Sequence, residues 1–596
     1  MSGGLYRSAN ASSDGGHGSH GHASGGHVSE DGATLISVNP QDQAKATPSA
    51  TASPTAASTA AAPPASEGSA ARHSAVMAAG SLVSRATGFL RNLVLGAALG
   101  GFLVGDAYTT AFQFPGMIYE FLLGGILTSV LVPVLVRRRK ADPDGGQAYT
   151  QRLLTLAVLA LAAAVAIALL CAPLLTMLYA NEANADLVRA LSYLMLPMIF
   201  FTGLSALISA VLNTRGHFAA PMWTPILNNL VVIGAAGLYI AIYGARVVEP
   251  WEMSPGRIAL IGGGTLLGVV VQAAGLLPAL RRVGFRWRWR FDFSALGLRE
   301  LGRLGGWMFC YVGVSQLGLV VLFKLLNLAG SEKQAGPLIY NNVFLLVMMA
   351  HGIVAVSIIT ALMPRMSAAA ADGRYSDLTA DLSRGTRTVT AVLAPIAVCY
   401  AVLATPISVT LFNYGAFSTE NALATAVVLL VGALALIPFS ISQLFTFAFY
   451  ALPDTKTPAL VNIPVVLLRI AVQVGLFIAF SPAFAAAGMM LGNAISYVAA
   501  AVISVWLLRG RVGPIGFGGI TTTFGKVLAA ALGAALIGFI VVSVLPGDGT
   551  PTRVEALVRL IVGGGAIGAS YLGLALALRV QEIADVVGMV RRRLGR

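Results

Sequence analysis

The apolar positions of this chain fall into long blocks. From about residue 75 onward, fourteen apolar runs are each long enough to cross a bilayer, at ~20 residues per crossing. They span approximately 75–100, 107–136, 153–180, 187–212, 219–243, 257–280, 304–329, 337–363, 388–412, 421–451, 458–480, 483–508, 525–545 and 556–578. Short polar or Gly/Pro breaks separate them. Backbone polar groups in hydrocarbon must be satisfied within the segment, so the runs predict helices. Residues 1–72 lack this pattern: they are rich in Ser, Gly, Ala, Thr and Pro and predict a disordered tail. No apolar stretch with a basic flank opens the tail, so it does not read as a signal peptide. His17, His20, His22 and His27 read as part of this low-complexity segment rather than as a metal site.

Composition agrees with the pattern. Of 596 residues, 56% are hydrophobic and 11% charged, against about 25% charged in a soluble domain. This excludes a water-soluble enzyme, a fibrous protein and a disordered chain, and predicts an all-α integral membrane protein. Cys171, Cys310 and Cys399 lie in separate apolar runs, with neither metal-ligand nor disulfide spacing.

The net charge of +14 does not point to nucleic acid, because the basic residues sit in short loops between runs. Of 39 Lys and Arg, 26 fall in loops on the side of the N-terminal tail and six on the opposite side. By the positive-inside rule both termini are cytoplasmic. The segment Phe285-Arg286-Trp287-Arg288-Trp289-Arg290-Phe291 alternates aromatic and cationic residues, which suits anchoring at an anionic inner leaflet. It also divides the chain. Span 4 runs into Asn213–Pro221 and span 10 into Tyr450–Pro458; each is a turn with a cation and a Pro opening the next helix. Six spans precede the linker, six follow it, and two more close the chain. This predicts a tail (1–72), an N-terminal six-helix lobe (73–283), a basic aromatic linker (284–302), a C-terminal six-helix lobe (303–510), two extra helices (511–580) and a basic tail (581–596). Two packed lobes related by a repeat are a transporter architecture.

No metal-ligand spacing, phosphate-binding loop or nucleophile motif appears, so neither catalysis nor a cofactor is expected. Asn228-Asn229 and Asn341-Asn342 lie inside spans and read as helix–helix hydrogen-bonding pairs. The informative residues are ionisable groups at membrane depth, each costing at least ~2.5–3.5 kcal/mol without a partner or water. Arg85 and Arg91 occupy the first span, about 120° apart around the helix. Asp106 sits just before the second span and Glu120 within it. Two readings follow: Arg–carboxylate pairs that pin spans 1 and 2 together, or cations lining a path for an anion. Lys324, deep in span 7, either faces a cavity or snorkels outward. His351 reads as a hydrogen-bonded core residue, and Arg469 is open to either role. Spans 7 to 12 contain no Asp or Glu, which disfavours a carboxylate-based proton or sodium site there.

At this point the residues resemble a known family. Ser84-Arg85-Ala86-Thr87-Gly88-Phe89-Leu90-Arg91, Gly105-Asp106-Ala107 and Phe114-Pro115 are similar to the first two helices of the MurJ/MviN family, lipid II flippases of the MATE-like exporter superfamily. Tyr119-Glu120-Phe121-Leu122-Leu123-Gly124-Gly125, Val132–Leu135, Gly216–Pro221, Leu362–Ser367, Gly415-Ala416-Phe417 and Phe449–Pro458 resemble its actinobacterial branch. The resemblance covers about residues 75–580. It implies fourteen helices, two six-helix lobes in a V, and a lipid-binding groove formed by the last two. It also implies a cationic cavity through which alternating access moves lipid-linked peptidoglycan precursor outward.

Arg85, Arg91 and Asp106 match family positions linked to activity. Two family arginines are replaced, one at Tyr119 and one near Val343, and the acidic position in helix 7 is missing. Lys324 is the candidate substitute for the lost charge. The substrate-binding set implied is therefore Arg85, Arg91, Asp106, Tyr119, Glu120 and Lys324. Lipid II joins a diphosphate and a bulky polar head to a polyprenyl tail, so the head needs a wet cationic cavity while the tail stays in lipid. The expected partners are lipid II or a related polyprenyl diphosphate, membrane lipids and cell-wall synthesis proteins. The alternatives are export of another polyprenyl-linked oligosaccharide or amphiphile, and a non-transporting membrane scaffold.

Overall fold

A computed structural model describes residues 67–124, 132–296, 298–545, 551–593 and 595. Among the described residues the protein is helical, with no β-strand. The N-terminal half begins with α1 (Glu67–Leu99) and α2 (Val104–Tyr119), and α2 runs into a π-helical turn (Glu120–Gly124). There follow α3 (Val132–Ala141), α4 (Gln147–Leu170), α5 (Ala172–Tyr179), α6 (Ala185–Met195), α7 (Met198–Thr214), α8 (Ala219–Tyr243), α9 (Pro255–Ile258) and α10 (Gly264–Arg282). The second half comprises α11 (Leu298–Gly330), α12 (Pro337–Ala371), α13 (Tyr375–Val402), α14 (Ala404–Phe412), α15 (Thr419–Ala451), α16 (Lys456–Ala479) and α17 (Ala485–Val512). Then come α18 (Phe517–Val544), α19 (Arg553–Ala577) and α20 (Gln581–Arg593).

Helix starts follow local chemistry. Pro337 opens α12, where its missing N–H costs nothing. Ser418 and Thr552 cap α15 and α19 in reciprocal capping boxes with Asn421 and Glu555. Among the described residues twelve helices are long and apolar enough to cross a membrane, and they correspond to expected runs 3 to 14. The first two expected runs are not among them: α1 carries Arg85, Arg91 and Asn92 in its second half, and α2 has only 16 residues before its π turn. Residues 125–131, inside the second expected run, lie outside the described residues.

Buried side chains separate into cores that follow the halves of the chain. One joins Leu154, Leu191, Ile208 and Leu276 from the N-terminal helices. The others join residues of α11 to α20, among them Leu326, Leu429 and Ile567. Phe323 of α11 belongs to the N-terminal core, so α11 touches both lobes. Glycines permit close helix packing: a Cβ on Gly203 of α7 would lie 2.5 Å from Leu161 of α4.

The linker 284–296 lies along α4. Phe285 is buried, Gln151 Nε2 donates to the Arg286 carbonyl (2.6 Å) and Arg290 Nε to Gln151 Oε1 (2.9 Å). Arg152 pairs with Asp292 at 2.6 Å, and its hydrogen bond holds the Asp292 carboxyl below the usual carboxylate range. Trp289 and Phe291 remain exposed. Two boundaries differ from expectation. α1 begins at Glu67, inside the segment expected as tail. Residues 581–593 form helix α20 where a tail was expected. Val580 and Ile583 are buried against the C-terminal core and Glu582 pairs with Arg387 at 3.1 Å, so an apolar edge docks this helix despite its basic end.

Candidate functional site

Arg85 and Arg91 project from α1 toward α12 of the opposite lobe. Arg85 lies against Gly352, where an added Cβ would sit 2.4 Å from Nη1. Arg91 is half-buried. Its Nη1 donates to Asn229 Oδ1 of α8 (3.3 Å), its Nε and Nη2 donate to Asn92 Oδ1 (3.4 and 3.3 Å), and its guanidinium sits 5.4 Å from the centre of the Phe112 ring. It borders a void of about 30 Å³ with Tyr108, Leu338 and Asn341. Asn229 is itself held by α1, donating to the Ser84 carbonyl (3.2 Å) and to Thr87 Oγ1 (3.0 Å). Among the described residues neither arginine is ion-paired with an acid. Arg91 is therefore positioned by neutral oxygens, and the expectation of Arg–carboxylate pairs pinning the first two spans is not met.

Asp106 does something else. It is fully buried, and its Oδ1 accepts from the Leu338 N–H at 2.9 Å, at the N-terminus of α12. A carboxyl oxygen from the first lobe thus caps a helix of the second by accepting from one of its free first-turn amides. Its other oxygen, Oδ2, has no hydrogen-bond partner. Gly336 makes this approach possible, since a Cβ there would lie 2.2 Å from Oδ2.

This contact belongs to a seam between the lobes at the end where α1 finishes. Gly101 N donates to Asn421 Oδ1 (3.0 Å) and Ala416 N to the Ala97 carbonyl (2.8 Å). Gly415, at φ +58°, lets that turn approach: a Cβ there would lie 2.4 Å from the Ala97 oxygen. Asn327 of α11, fully buried, is the hub. Its Nδ2 donates to Thr110 Oγ1 (2.9 Å), its carbonyl accepts from Asn181 Nδ2 (2.5 Å) and its Oδ1 from Asn184 Nδ2 (3.3 Å). The exposed Lys333–Glu249 pair adds a bridge at 2.7 Å. Every cross-lobe hydrogen bond described here lies at this end.

Lys324 joins the same seam. Its Nζ donates to the carbonyls of Ala180 (2.8 Å) and Met177 (3.3 Å), at the C-terminal end of α5 where a cation is favoured. Of its two expected placements, the ammonium takes the outward one, toward the helix end, rather than hanging in a cavity. Tyr119 and Glu120, at the end of α2 and the start of its π turn, are half-buried, and this turn borders α11, where a Cβ on Gly313 would lie 3.8 Å from Phe121. Glu120 has no ion pair among the described residues. The expected set thus divides. Arg85, Arg91 and Asp106 face α12, Lys324 braces the seam, and Tyr119 and Glu120 lie apart toward α11.

The other singled-out residues stay within their own lobes. His351 bonds Ser440 Oγ (2.9 Å) and packs on Phe439, as a core histidine does. Arg469 approaches Gly318 of α11. Asn342 corrects an expectation: it is buried, and neither side-chain polar atom has a hydrogen-bond partner. Val343, where a charge is replaced, is fully buried in the C-terminal core. Asn181, Asn184, Asn327 and Asn421 were not foreseen. The available signal was an asparagine near a span end beside a small or charged residue. No group of three or more potential metal ligands occurs among the described residues.

The model of the family described as "Lipid II flippase MurJ" matches residues 95–551. A curated relative, "Lipid II flippase MurJ" of Burkholderia cenocepacia, is 26% identical over 407 residues, covering 65% of this chain and 74% of the relative. Among solved structures, "Lipid II flippase MurJ, inward closed conformation" is similar with a TM-score of 0.66 at 19% identity, covering 87% of this chain and 99% of its own. An inward-facing multidrug resistance MATE transporter of the MOP superfamily has a TM-score of 0.58 at 15% identity, covering 72% and 94%. These two structural likenesses establish the fold.

Proposed function

The chain belongs to the MurJ family of lipid II flippases, and from that membership we propose how its geometry moves lipid II from the inner to the outer leaflet. It is a multi-pass membrane transporter whose two lobes work by alternating access. α1 and α2 with its π turn make the first two of fourteen crossings, both termini face the cytoplasm, and the Asp106–Asn327 seam is the outer gate.

The substrate's diphosphate and sugar-peptide head cannot enter hydrocarbon, whereas its polyprenyl tail can stay there. Arg85 and Arg91 lie beneath the seam with no acid neutralising them, so their charge is available to the diphosphate. An arginine fork matches phosphate oxygens bidentately. With Tyr119 and Val343 standing where the family pattern has arginines, these two cations carry the phosphate contact. Tyr119 and Glu120 line the α2–α11 side. Lys324 acts on the gate by holding α5 to α11. No bond of the substrate breaks, so transport needs positioning and release and no catalytic group.

Each seam hydrogen bond contributes about 0.5–1.5 kcal/mol net, so a handful holds the gate by a few kcal/mol. That barrier is within reach of the differential binding of a large charged head to the two states. The observation that carries this reading is the pair Arg85 and Arg91, facing α12 without acidic partners below a closed polar seam. Depleting the protein in growing cells and measuring lipid II accessible on the outer leaflet tests it. Accessibility should fall as the protein is lost, and unchanged accessibility overturns the reading.

A further inference from the structure

At the far end of α12 from the seam, a cavity of about 700 Å³ opens between the last turns of α12, the first half of α13 and the turn 514–516. Four arginines line it, Arg365, Arg374, Arg384 and Arg387, against two carboxylates, Asp377 and Asp381. Arg365 pairs with Asp381 at 2.7 Å, and Arg374 pairs with Asp372 and Asp377. The remaining two are undersupplied with acceptors. Arg384 has no ion pair or hydrogen bond among the described residues. Arg387 pairs through Nη1 with Glu582 of α20, but its Nε is buried without a partner. A buried guanidinium N–H left unmet costs free energy, and both side chains rise from one face of α13, three residues apart. Ser383 adds a hydroxyl to the same lining.

We propose that this cavity binds a phosphate-bearing anion, with Arg384 and Arg387 as its principal donors. Arg384, left without an acid, and the unmet Nε of Arg387 supply the donors for such a ligand, and planar guanidinium donors recognise phosphate oxygens. The site is separate from the arginines of α1, which lie on the path between the lobes. Under the orientation argued above it faces the cytoplasm, where either a soluble phosphate compound or an inner-leaflet headgroup can reach it. Arg387 is shared with Glu582, so an occupant competes directly with the contact that docks α20.

The test uses the full chain in nanodiscs. In phosphatidylcholine discs, inorganic pyrophosphate is titrated calorimetrically. In discs containing added phosphatidylglycerol, retained lipid is counted by native mass spectrometry. Binding in the first arm identifies a soluble anion and binding only in the second a headgroup; either supports the site. Arg384→Ala, at an exposed and unpaired position, should weaken binding about tenfold or more, the worth of one charge-assisted hydrogen bond. Arg384→Lys should restore part of it. Arg85→Ala/Arg91→Ala should leave this binding intact. No binding in either arm overturns the proposal. So does binding that survives Arg384→Ala and Arg387→Ala, or that disappears only with the α1 arginines, and these outcomes leave the transport reading untouched.

Discussion

The seam makes Asp106→Ala the most informative perturbation. The substitution removes the acceptor of the Leu338 N–H at 2.9 Å in a fully buried position. It leaves α12 with an uncapped amide at the point where two lobes meet. Leaving a buried backbone donor without its acceptor costs about 1–3 kcal/mol. Because the contact spans the lobes, its loss falls on the closed state and not on the stability of either lobe. Each ~1.4 kcal/mol is tenfold in an equilibrium, so the ratio of open to closed gate should rise about 5- to 150-fold. Ala416, 1% exposed and hydrogen-bonded to Ala97 across the seam, supplies the probe. A single cysteine placed there should react slowly with a membrane-impermeant maleimide applied outside, and at least about fivefold faster in the Asp106→Ala background. Asp106→Asn, which keeps an acceptor oxygen without the charge, should fall between. An unchanged labelling rate, with both proteins folded by thermal melting, would refute the claim that Asp106 latches the gate.

Gly336→Ala should open the gate by a different route, because its Cβ would sit 2.2 Å from Asp106 Oδ2. The same cysteine should label faster, and Asp106→Ala added to it should produce less than the sum of the two effects. Lys324→Met removes the two carbonyl contacts to the end of α5 while keeping the apolar stem; gate labelling should rise severalfold with expression unchanged. Asp454, in the turn before α16, has a pKa held below its usual value: burial opposes this, but hydrogen bonds from Thr457 and Arg511 outweigh it. Since the folded value is depressed, the stabilisation is present above the unfolded pKa of about 4 and disappears as pH falls through the folded value. The melting-temperature difference between wild type and Asp454→Asn should therefore stay flat from pH 8 to pH 5 and shrink only in stronger acid.

Much of the architecture was legible because a membrane helix declares itself by length and apolarity. Runs 3 to 14 reappear as α4 to α19, most ends shifted by a few residues and α12, α13 and α18 extending about two to four turns further on the tail side. The first two runs are harder to define: Arg85 and Arg91 dilute the hydropathy of α1, and α2 breaks into a π turn at Glu120. Direction was not legible. Lys324 reads identically whether it meets a cavity or the carbonyls of Ala180 and Met177, because the choice depends on where α5 ends in space. Asn327 and Asn421 carry the seam, while Asn342, in a similar apolar setting, bonds to nothing. Sequence marks each as polar and says nothing about the helix opposite. α20 was mistaken for a tail because its basic end masked the spacing of Val580 and Ile583. The arginines of the α12–α13 turn served as topology markers, and only packing placed four of them around one cavity.

The central claim is that Arg85 and Arg91 are charged, without acidic partners, in order to hold the diphosphate of a passing lipid. Translocation of lipid II into the outer leaflet of proteoliposomes measures this directly, comparing wild type with Arg85→Ala/Arg91→Ala and Arg85→Lys/Arg91→Lys. The account predicts that the alanine pair abolishes translocation while the protein stays folded, and that the lysine pair keeps part of it, since charge survives without the bidentate fork. Wild-type translocation by the folded alanine pair would contradict it.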